Sequence, residues 1–208
     1  MRILVENLAC RRGGRLVFEG LSFRIGSGEA LVVTGRNGAG KSTLLAALAG
    51  AITPSAGRIT TEGNGSDDTP LVERLHAVGH RDGLKAVLTA RENLAFCRDL
   101  FGNPALEPEE ALERVGLAHA VDLPVAYLSA GQRRRVALAR LLVAHRPLWL
   151  LDEPTAALDA RSQATLLTLM QEHIAGGGLI IAATHAPLGL AAQEIRIGSD
   201  GAGRGAAS

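Results

Sequence analysis

The chain has 208 residues, with 22 lysines and arginines against 21 aspartates and glutamates, and only 3% of its residues are aromatic. This balance gives no global sign of a nucleic-acid partner, and the scarcity of aromatics disfavours a base-stacking platform. The length suits one large domain. Cys10 and Cys97 form neither a CxxC nor a CxxCH motif, which disfavours zinc or covalent haem and is typical of a reducing compartment.

The sequence gives no indication of a membrane span. Charges at Arg2 and Glu6 come too early for a signal peptide. The longest apolar stretch, around residues 44–52, is far shorter than the ~20 residues that cross a bilayer. We therefore expect a soluble chain, whose role at any membrane depends on a partner.

Hydrophobic periodicity divides the chain into alternating strands and helices. The predicted strands are residues 2–8, 21–25, 31–33, 58–61, the end of 71–79, 148–151, 179–183 and a short last strand at 194–197. The predicted helices are residues 43–49, a segment opened by Thr89, residues 107–115, and a segment whose apolar face is Leu166, Leu167, Met170 and Ile174. Because the later strands are apolar throughout, we expect an α/β fold with a mainly parallel sheet flanked by helices.

Turns and chain ends complete this interpretation. Arg11-Arg12-Gly13-Gly14 is predicted to be the turn between the first two strands, and residues 62–70 a polar surface loop. Thr89 and Glu92 have the form of a capping box. We expect residues 84–145 to form a helical subdomain inserted in a single domain that spans residues 1–198. Residues 199–208 are expected to be a flexible tail.

A glycine-rich segment between the strand at 31–33 and the next helix matches the pattern GxxxxGKS. We call residues 35–42 the glycine loop. Its glycines allow the backbone to approach an anion, and the helix after it adds positive potential. Lys41 can reach the β- and γ-phosphates, and the Ser42 hydroxyl is a natural Mg²⁺ ligand. A glycine-rich turn before an ordinary helix is the alternative, which the Lys-Ser pair disfavours, so we predict a nucleoside triphosphate site made by Gly35, Arg36, Asn37, Gly38, Ala39, Gly40, Lys41, Ser42 and Thr43.

Two acids end the apolar strand at 148–151. Ligands bind at the carboxyl ends of strands in open α/β sheets, so Asp152 is placed to hold Mg²⁺ and Glu153 to polarise an attacking water. An acidic helix cap is the alternative. The glycine loop upstream favours the functional interpretation.

A third motif, Leu-Ser-Ala-Gly-Gln, occupies residues 128–132 and precedes three arginines. Ser129 and Gln132 can form a capping box, which alone explains a helix start. The same residues can also bind an anion at the positive end of a helix. The arginines could suggest nucleic acid, but such a run is usually a solvated helix face, and we adopt that interpretation.

The order of these motifs, with Asp159 and His185 after them, resembles that of the ATP-binding subunits of ABC transporters. The resemblance implies a P-loop NTPase with a RecA-like sheet, an N-terminal antiparallel β part and a helical signature subdomain. It also implies a homodimer that sandwiches two ATP molecules, in which Ser129, Gly131 and Gln132 of one subunit face the ATP of the other. Ala130 replaces a glycine of the family pattern. Asp159 corresponds to the loop that bridges the two sites, and His185 to the histidine that contacts the γ-phosphate, although a lone histidine after a buried strand is more often a structural cap.

Two positions depart from the family pattern. Arg12 stands where the family has an aromatic residue that stacks on adenine, and its planar guanidinium could stack instead. His80-Arg81 occupies the position of the family's glutamine loop, which senses Mg²⁺ and faces the membrane subunit. Neutral His80 is our candidate to replace the glutamine at the metal.

One branch of the family is especially similar. Residues 79–85, 88–94, 123–125 and 184–188 resemble those of the ATPase subunit of the cytochrome c maturation system, a haem exporter component. This resemblance implies an integral membrane partner such as CcmB, with CcmC nearby, and a peripheral location on the cytoplasmic face of the inner membrane. The alternatives are a soluble ABC ATPase acting on nucleic acid or ribosomes, which usually carries a second cassette, a coiled-coil insertion or zinc modules, and a P-loop kinase or GTPase, which needs neither the signature motif nor His185.

Overall fold

A computed structural model describes residues 1–63 and 69–198. The predicted tail, 199–208, and the centre of the predicted loop at 62–70 therefore lie outside the described residues. Within the described part, two sheets and five α-helices account for most of the chain.

The larger sheet has five strands in the order β5-β6-β7-β3-β8, and every neighbouring pair is parallel. These strands are β3 (Ala30–Thr34), β5 (Leu75–Val78), β6 (Leu148–Asp152), β7 (Leu179–Ala183) and β8 (Gln193–Arg196). β6 and β7 are buried at every position, because helices cover the central strands and leave no face for polar residues. The predicted parallel sheet is confirmed.

The smaller sheet is antiparallel, in the order β2-β1-β4. It consists of β1 (Arg2–Arg12), β2 (Arg15–Gly26) and β4 (Ala56–Glu62), so the N-terminal antiparallel part is also confirmed. The predicted turn at 11–14 was wrong in its first half. Arg11 and Arg12 belong to β1, and Arg12 pairs with Arg15. Only Gly13 and Gly14 turn, with φ of 55° and 77°, because a two-residue hairpin of this kind needs positive φ at both positions.

The five helices occupy two regions. They are α1 (Lys41–Leu48), α2 (Ala90–Phe101), α3 (Pro108–Arg114), α4 (Ala130–Ala139) and α5 (Ala160–Ala175). α1 packs against β6 and β7, and α5 against β7. α2, α3 and α4 pack on one another around their own cluster of buried apolar side chains, which also includes Leu169 of α5. The boundaries that we gave the helical subdomain, 84–145, remain a prediction.

Both predicted capping boxes are present, at Thr89 for α2 and at Ser129 for α4. The helix predicted at 43–49 begins two residues earlier, which places Lys41 and Ser42 in its first turn. No helix in residues 1–63 and 69–198 is long and apolar enough to cross a bilayer.

Trp149, the only tryptophan of the sequence, lies within β6 and is buried. Its indole stacks on the His173 imidazole of α5, with ring centroids 3.9 Å apart and an interplanar angle of 11°. His173 Nε2 lies 3.2 Å from the Pro147 carbonyl oxygen. This stack joins the last turns of α5 to the strand that ends in Asp152.

Candidate functional site at the carboxyl edge of the parallel sheet

Three predicted segments meet because their strands are neighbours. β6, β7 and β3 lie side by side and run in the same direction, so their carboxyl ends share one edge. The glycine loop follows β3, Asp152 ends β6, and His185 comes two residues after β7. In the register of the sheet Asp152 pairs with Ala183, and Ala183 pairs with Val33 on its other side. The fold therefore brings the glycine loop next to two segments that lie more than 100 residues further along the chain.

The glycine loop is tightly packed at two of its glycines. Gly35 has φ of 145°, and a Cβ there would lie 2.4 Å from the Ile197 carbonyl oxygen. Gly40 has φ of 110°, and a Cβ there would lie 2.5 Å from Val17 Cγ1 of β2. The antiparallel sheet thus presses directly on the loop. A side chain at either position would displace the backbone that is predicted to surround the phosphates.

Lys41 is buried and folds back over the loop, where its Nζ donates a hydrogen bond to the Gly35 carbonyl oxygen at 2.9 Å. Thr43 is buried in the first turn of α1, whereas Ser42 is exposed. The helix begins at Lys41, directly after Gly40, which is the residue at its N-cap. The lysine and the exposed hydroxyl therefore lie on the first turn of one helix.

Asp152 is the acid at the end of β6, and the residue as a whole is 9% exposed. No described residue donates a hydrogen bond to its side chain, and its carboxylate oxygens are not among the fully buried atoms without a partner in the described chain. The carboxylate is therefore open to a ligand at this edge of the sheet. No group of three or more His, Cys, Asp or Glu side chains in the described ranges could hold a metal ion. The Ser42 hydroxyl and the Asp152 carboxylate fit Mg²⁺, which commonly binds one or two protein oxygens and completes its shell with substrate phosphates and water.

Glu153 and His185 form a direct pair. His185 Nδ1 donates to Glu153 Oε1 at 3.0 Å. Glu153 has φ of 46°, which is rare for a residue with a side chain, and its N–H donates to the Ala183 carbonyl oxygen at 2.8 Å. Thr184 Oγ1 accepts from the Ala186 N–H at 3.0 Å and so forms the turn that presents His185. The histidine is exposed and can turn away, whereas the glutamate is largely enclosed.

The signature segment at 128–132 is a helix start on the surface. Ser129 Oγ accepts from the Gln132 N–H at 3.2 Å, and Gln132 Oε1 accepts from the Ser129 N–H at 2.8 Å. Gly131 packs closely on the loop before α5, since a Cβ there would lie 3.0 Å from the Ala157 carbonyl oxygen. Among the described residues, no hydrogen bond joins residues 129–132 to the glycine loop.

The Asp159 side chain accepts a hydrogen bond within its own chain. Its Oδ1 accepts from the Ser162 N–H at 2.7 Å and caps α5. Hydrogen bonds from Ser162 hold the pKa of the Asp159 carboxyl below its usual value. The bridging role of Asp159 at a second subunit stays a prediction.

Arg12 and His80 are both exposed, and in the described part of the chain neither side chain makes a hydrogen bond. Arg12 ends β1, whose partner β2 supplies the Val17 and Phe18 side chains that contact the Gly40 position. His80 comes shortly after β5, which is the neighbour of β6. Both residues are thus attached to elements that adjoin the site, and their roles stay predictions.

The role of Arg134 is not predicted by the sequence motifs. The prediction that residues 133–135 form a solvated helix face is wrong. Arg134 is 3% exposed and binds backbone oxygens at the end of β6, while Arg133 and Arg135 donate to the carbonyl oxygens of Leu128 and Val115. Successive residues of a helix point about 100° apart, so three arginines in a row cannot share one face. The sequence does contain a signal, because Arg134 lies at helical spacing from the apolar residues at 137, 138 and 141. All four residues are buried in the structure.

The family follows from a direct comparison. A family model described as "ABC transporter" matches residues 18–156, more than half of the chain. This chain belongs to the ABC transporter family. Its relatives include the cytochrome c biogenesis ATP-binding export protein CcmA of Rhodopseudomonas palustris (strain BisB5), which is 59% identical over 194 residues, covering 93% of this chain and 96% of that protein. The CcmA protein of Mesorhizobium japonicum is 51% identical over 97% of this chain and 100% of its own length.

Solved ABC transporter structures share the fold. An ATP-binding subunit of an ABC transporter superposes with a TM-score of 0.83 at 25% identity, over 95% of this chain and 86% of that chain. A bacterial Atm1-family ABC exporter with ATP bound superposes with a TM-score of 0.80 at 28% identity, over 95% of this chain and 37% of the exporter chain. The predictions of an ABC ATPase that uses ATP are confirmed. The chain is a transporter ATPase similar to CcmA, rather than a kinase, a GTPase or a soluble ABC ATPase that acts on nucleic acid.

Proposed function

We propose that this ABC ATPase forms a homodimer that closes around two Mg-ATP and drives an integral membrane subunit in haem export and cytochrome c biogenesis. One observation carries the dimer proposal. The glycine loop, Asp152, Glu153 and His185 adjoin at one sheet edge, whereas Ser129 caps an exposed helix start that makes no hydrogen bond to the loop within the described residues. A second copy of the chain would place its own Ser129, Gly131 and Gln132 against the ATP bound at this edge.

In this proposal the chemistry is performed by the residues that one subunit contributes at its own sheet edge, which we call the near side of the site. The glycine loop binds the phosphates through its N–H groups, and Lys41 exchanges its bond to the Gly35 carbonyl oxygen for the β- and γ-phosphates. Glu153 accepts a proton from the attacking water, a role that typically contributes ~10²–10⁴-fold. His185 releases Glu153 and contacts the γ-phosphate, which its exposed position allows.

A magnesium ion would be held by Ser42 and Asp152, and it would neutralise charge on the transferred phosphoryl group. His80 would take the place of the family's glutamine. Because Mg²⁺ prefers oxygen ligands, the neutral imidazole would act through a bound water. This role is supported by the position of His80 shortly after β5, beside the strand that carries Asp152. Changing His80 to Ala should raise the Mg²⁺ concentration needed for half-maximal ATPase activity, and changing it to Gln should restore the native value.

The membrane partner and location rest on the relatives. The R. palustris and M. japonicum proteins are named as export proteins of cytochrome c biogenesis. We assign this chain to the cytoplasmic face of the inner membrane, bound peripherally to a CcmB-like subunit with a CcmC-like neighbour. The Glu153→Gln form with ATP should bring down that integral membrane subunit from detergent-solubilised membranes. Recovery of ribosomes or DNA without any integral membrane protein would contradict the assignment.

Ser129→Arg tests the composite site. A bulky cation at the signature should block closure while leaving the ATP affinity of the monomer nearly intact, because Ser129 is not part of the near side. ATP-driven dimerisation in the Glu153→Gln background and steady-state turnover should both disappear. Size-exclusion chromatography and a fluorescent-nucleotide titration measure dimerisation and affinity.

Thr89→Arg is the matched control. Thr89 caps α2 with the same kind of capping box. Its replacement should therefore lower the free energy of unfolding by a similar amount, about 1 kcal/mol, at a place away from the signature segment. Its dimerisation and turnover should stay close to native. If Ser129→Arg abolished ATP binding to the monomer, or if both variants lost dimerisation equally, the composite site would be wrong.

A further inference from the structure

Arg134 joins two parts of the site through one guanidinium group. Its Nη1 donates to the Gly79 carbonyl oxygen at 2.7 Å and to Asp82 Oδ1 at 3.3 Å, both in the loop after β5. Its Nη2 donates to the carbonyl oxygens of Asp152 at 2.9 Å and of Glu153 at 2.8 Å. The side chain thus ties α4 to the loop after β5 and to the end of β6.

The surroundings of Arg134 indicate that its role is to hold chain segments in place rather than to neutralise a buried negative charge. Its side chain is 4% exposed, and Asp82, its acidic partner in the described chain, is 25% exposed. The other three bonds go to neutral carbonyl oxygens, and the buried Nε has no partner among the described residues. A buried, incompletely compensated cation contributes little net stability. The planar fork, however, can hold two separate segments at fixed distance, which a lysine ammonium cannot.

Glu153 requires such support because its backbone is strained. A φ of 46° is strained at a residue with a side chain and persists only where neighbouring groups fix it. The peptide between Asp152 and Glu153 is held at both ends, since its carbonyl accepts from Arg134 and its N–H donates to Ala183. The carbonyl of the next peptide also accepts from Arg134. Arg134 therefore fixes both peptides that flank the Glu153 Cα and, with them, the direction of the carboxylate.

We propose that Arg134 is a positioning residue, which sets the orientation of the Glu153 carboxylate and couples it to the loop at 79–82 and to α4. The inference rests on the proposed role of Glu153 in hydrolysis. A displacement of that loop, or of the helix that Ser129 caps, moves the guanidinium and turns Glu153 away from the attacking water. Hydrolysis then depends on the arrangement of both segments.

The test compares kcat with nucleotide affinity in the full-length chain. Arg134→Lys keeps the charge but loses the fork, and Arg134→Gln removes the charge in case a buried lysine prevents folding. We expect kcat to fall about 10²-fold, the scale typical of a small misplacement of a reacting group, while the Kd for ATP stays close to native. Arg135→Lys is the matched control, because Arg135 donates to the Val115 and Gly116 carbonyl oxygens at 3.1 Å and touches neither segment. Its kcat should stay near native.

A double-mutant cycle separates positioning from a general structural effect. If Arg134 acts through Glu153, adding Arg134→Lys or Arg134→Gln to Glu153→Gln should leave the residual single-turnover rate unchanged. An additive loss, an unchanged kcat in the single variants, or an equal loss in Arg135→Lys would overturn the inference. Native-like turnover of Glu153→Gln itself would instead overturn the proposed role of Glu153, so the two failures are distinguishable.

Discussion

His185 and Glu153 are hydrogen-bonded to each other, with Nδ1 and Oε1 3.0 Å apart. The ionised carboxylate can only accept, so the shared proton belongs to Nδ1, and a neutral His185 then has a lone pair on Nε2. The glutamate is held by its backbone on both sides, whereas the histidine comes after a short turn made by Thr184. The histidine is thus the mobile member of the pair.

This pairing predicts that the two side chains act as a unit. Glu153→Gln should lower turnover ~10²–10⁴-fold with nucleotide binding retained. His185→Ala should also lower turnover, and the double variant should be no slower than the slower single variant. Single-turnover hydrolysis measures all three rates. His119→Ala, at an exposed histidine in the Ala118–Ala120 turn, is the control. Losses that multiply in the double variant would contradict the coupling.

Gly40→Ala should weaken ATP binding more than Gly38→Ala. Both positions have positive φ, so each alanine costs about 1 kcal/mol in backbone strain. The Gly40 methyl would clash, at 2.5 Å from Val17 Cγ1 and 3.1 Å from Phe18 Cδ1, whereas among the described residues other than its chain neighbours nothing lies within 4 Å of a Cβ at Gly38. Isothermal titration with ATP compares the two. Adding Val17→Ala to Gly40→Ala should recover part of the affinity, and no recovery would show that the clash is not the cause.

Arg12→Ala should weaken binding of ATP but not of inorganic triphosphate. The loss of a stacking guanidinium typically costs about 0.5–2 kcal/mol, a factor of roughly 2 to 30 in Kd. Triphosphate has no base to stack on and serves as the internal reference. Arg11→Ala is the neighbouring control, because Arg11 donates to the Gly14 carbonyl oxygen within the hairpin. Equal affinity of native protein and Arg12→Ala for ATP would remove the stacking hypothesis.

The stability of the chain should fall as pH drops from about 6.5 to about 4. Burial lowers the pKa of His76 to about 4, and its Nε2 lies 2.9 Å from the Ala144 carbonyl oxygen. Above about pH 6.5 both the folded and unfolded states have a neutral imidazole, so this group adds no pH dependence. Between those values only the unfolded state takes up the proton, which lowers the free energy of unfolding by as much as about 3 kcal/mol. Burial also lowers the pKa of His173, which acts in the same direction.

Urea unfolding at about pH 7.5 and about pH 5, on either side of the ordinary histidine pKa, measures this loss. His76→Gln keeps a hydrogen-bond donor but does not titrate, so the difference between the two pH values should shrink. His145→Gln, at an exposed histidine, should leave the difference unchanged. A native protein that is equally stable at both pH values would contradict the prediction.

The sequence was most informative where local chemistry determines local structure. Ser129 and Thr89 each precede a Glu or Gln by three residues, and both boxes are present because the bonds involve only four consecutive residues. The meeting of Glu153 and His185 was also predictable in outline. Two buried parallel strands that become neighbours must place the residues after their carboxyl ends at the same edge.

Long-range contacts of single side chains were not predictable in this way. Helical spacing from buried apolar residues can indicate which arginine of the run is buried, but it does not indicate that the Arg134 guanidinium reaches from α4 to residues 79 and 152–153. The length of β1 was underestimated for a similar reason. Arg11 and Arg12 resemble turn residues by composition, but cross-strand pairing with β2 extends the ladder to the two glycines. Tertiary pairing overrides composition at both places.

The stack of Trp149 on His173 gives the chain an intrinsic fluorescence probe close to the site. The sequence has a single tryptophan, and Asp152 lies three residues further along the same strand. Any rearrangement that tilts β6 against α5 must alter the overlap of the two rings and, with it, the indole emission. Stopped-flow fluorescence of the unlabelled protein can therefore test whether ATP binding causes such a rearrangement, with no probe attached near either the glycine loop or the signature helix.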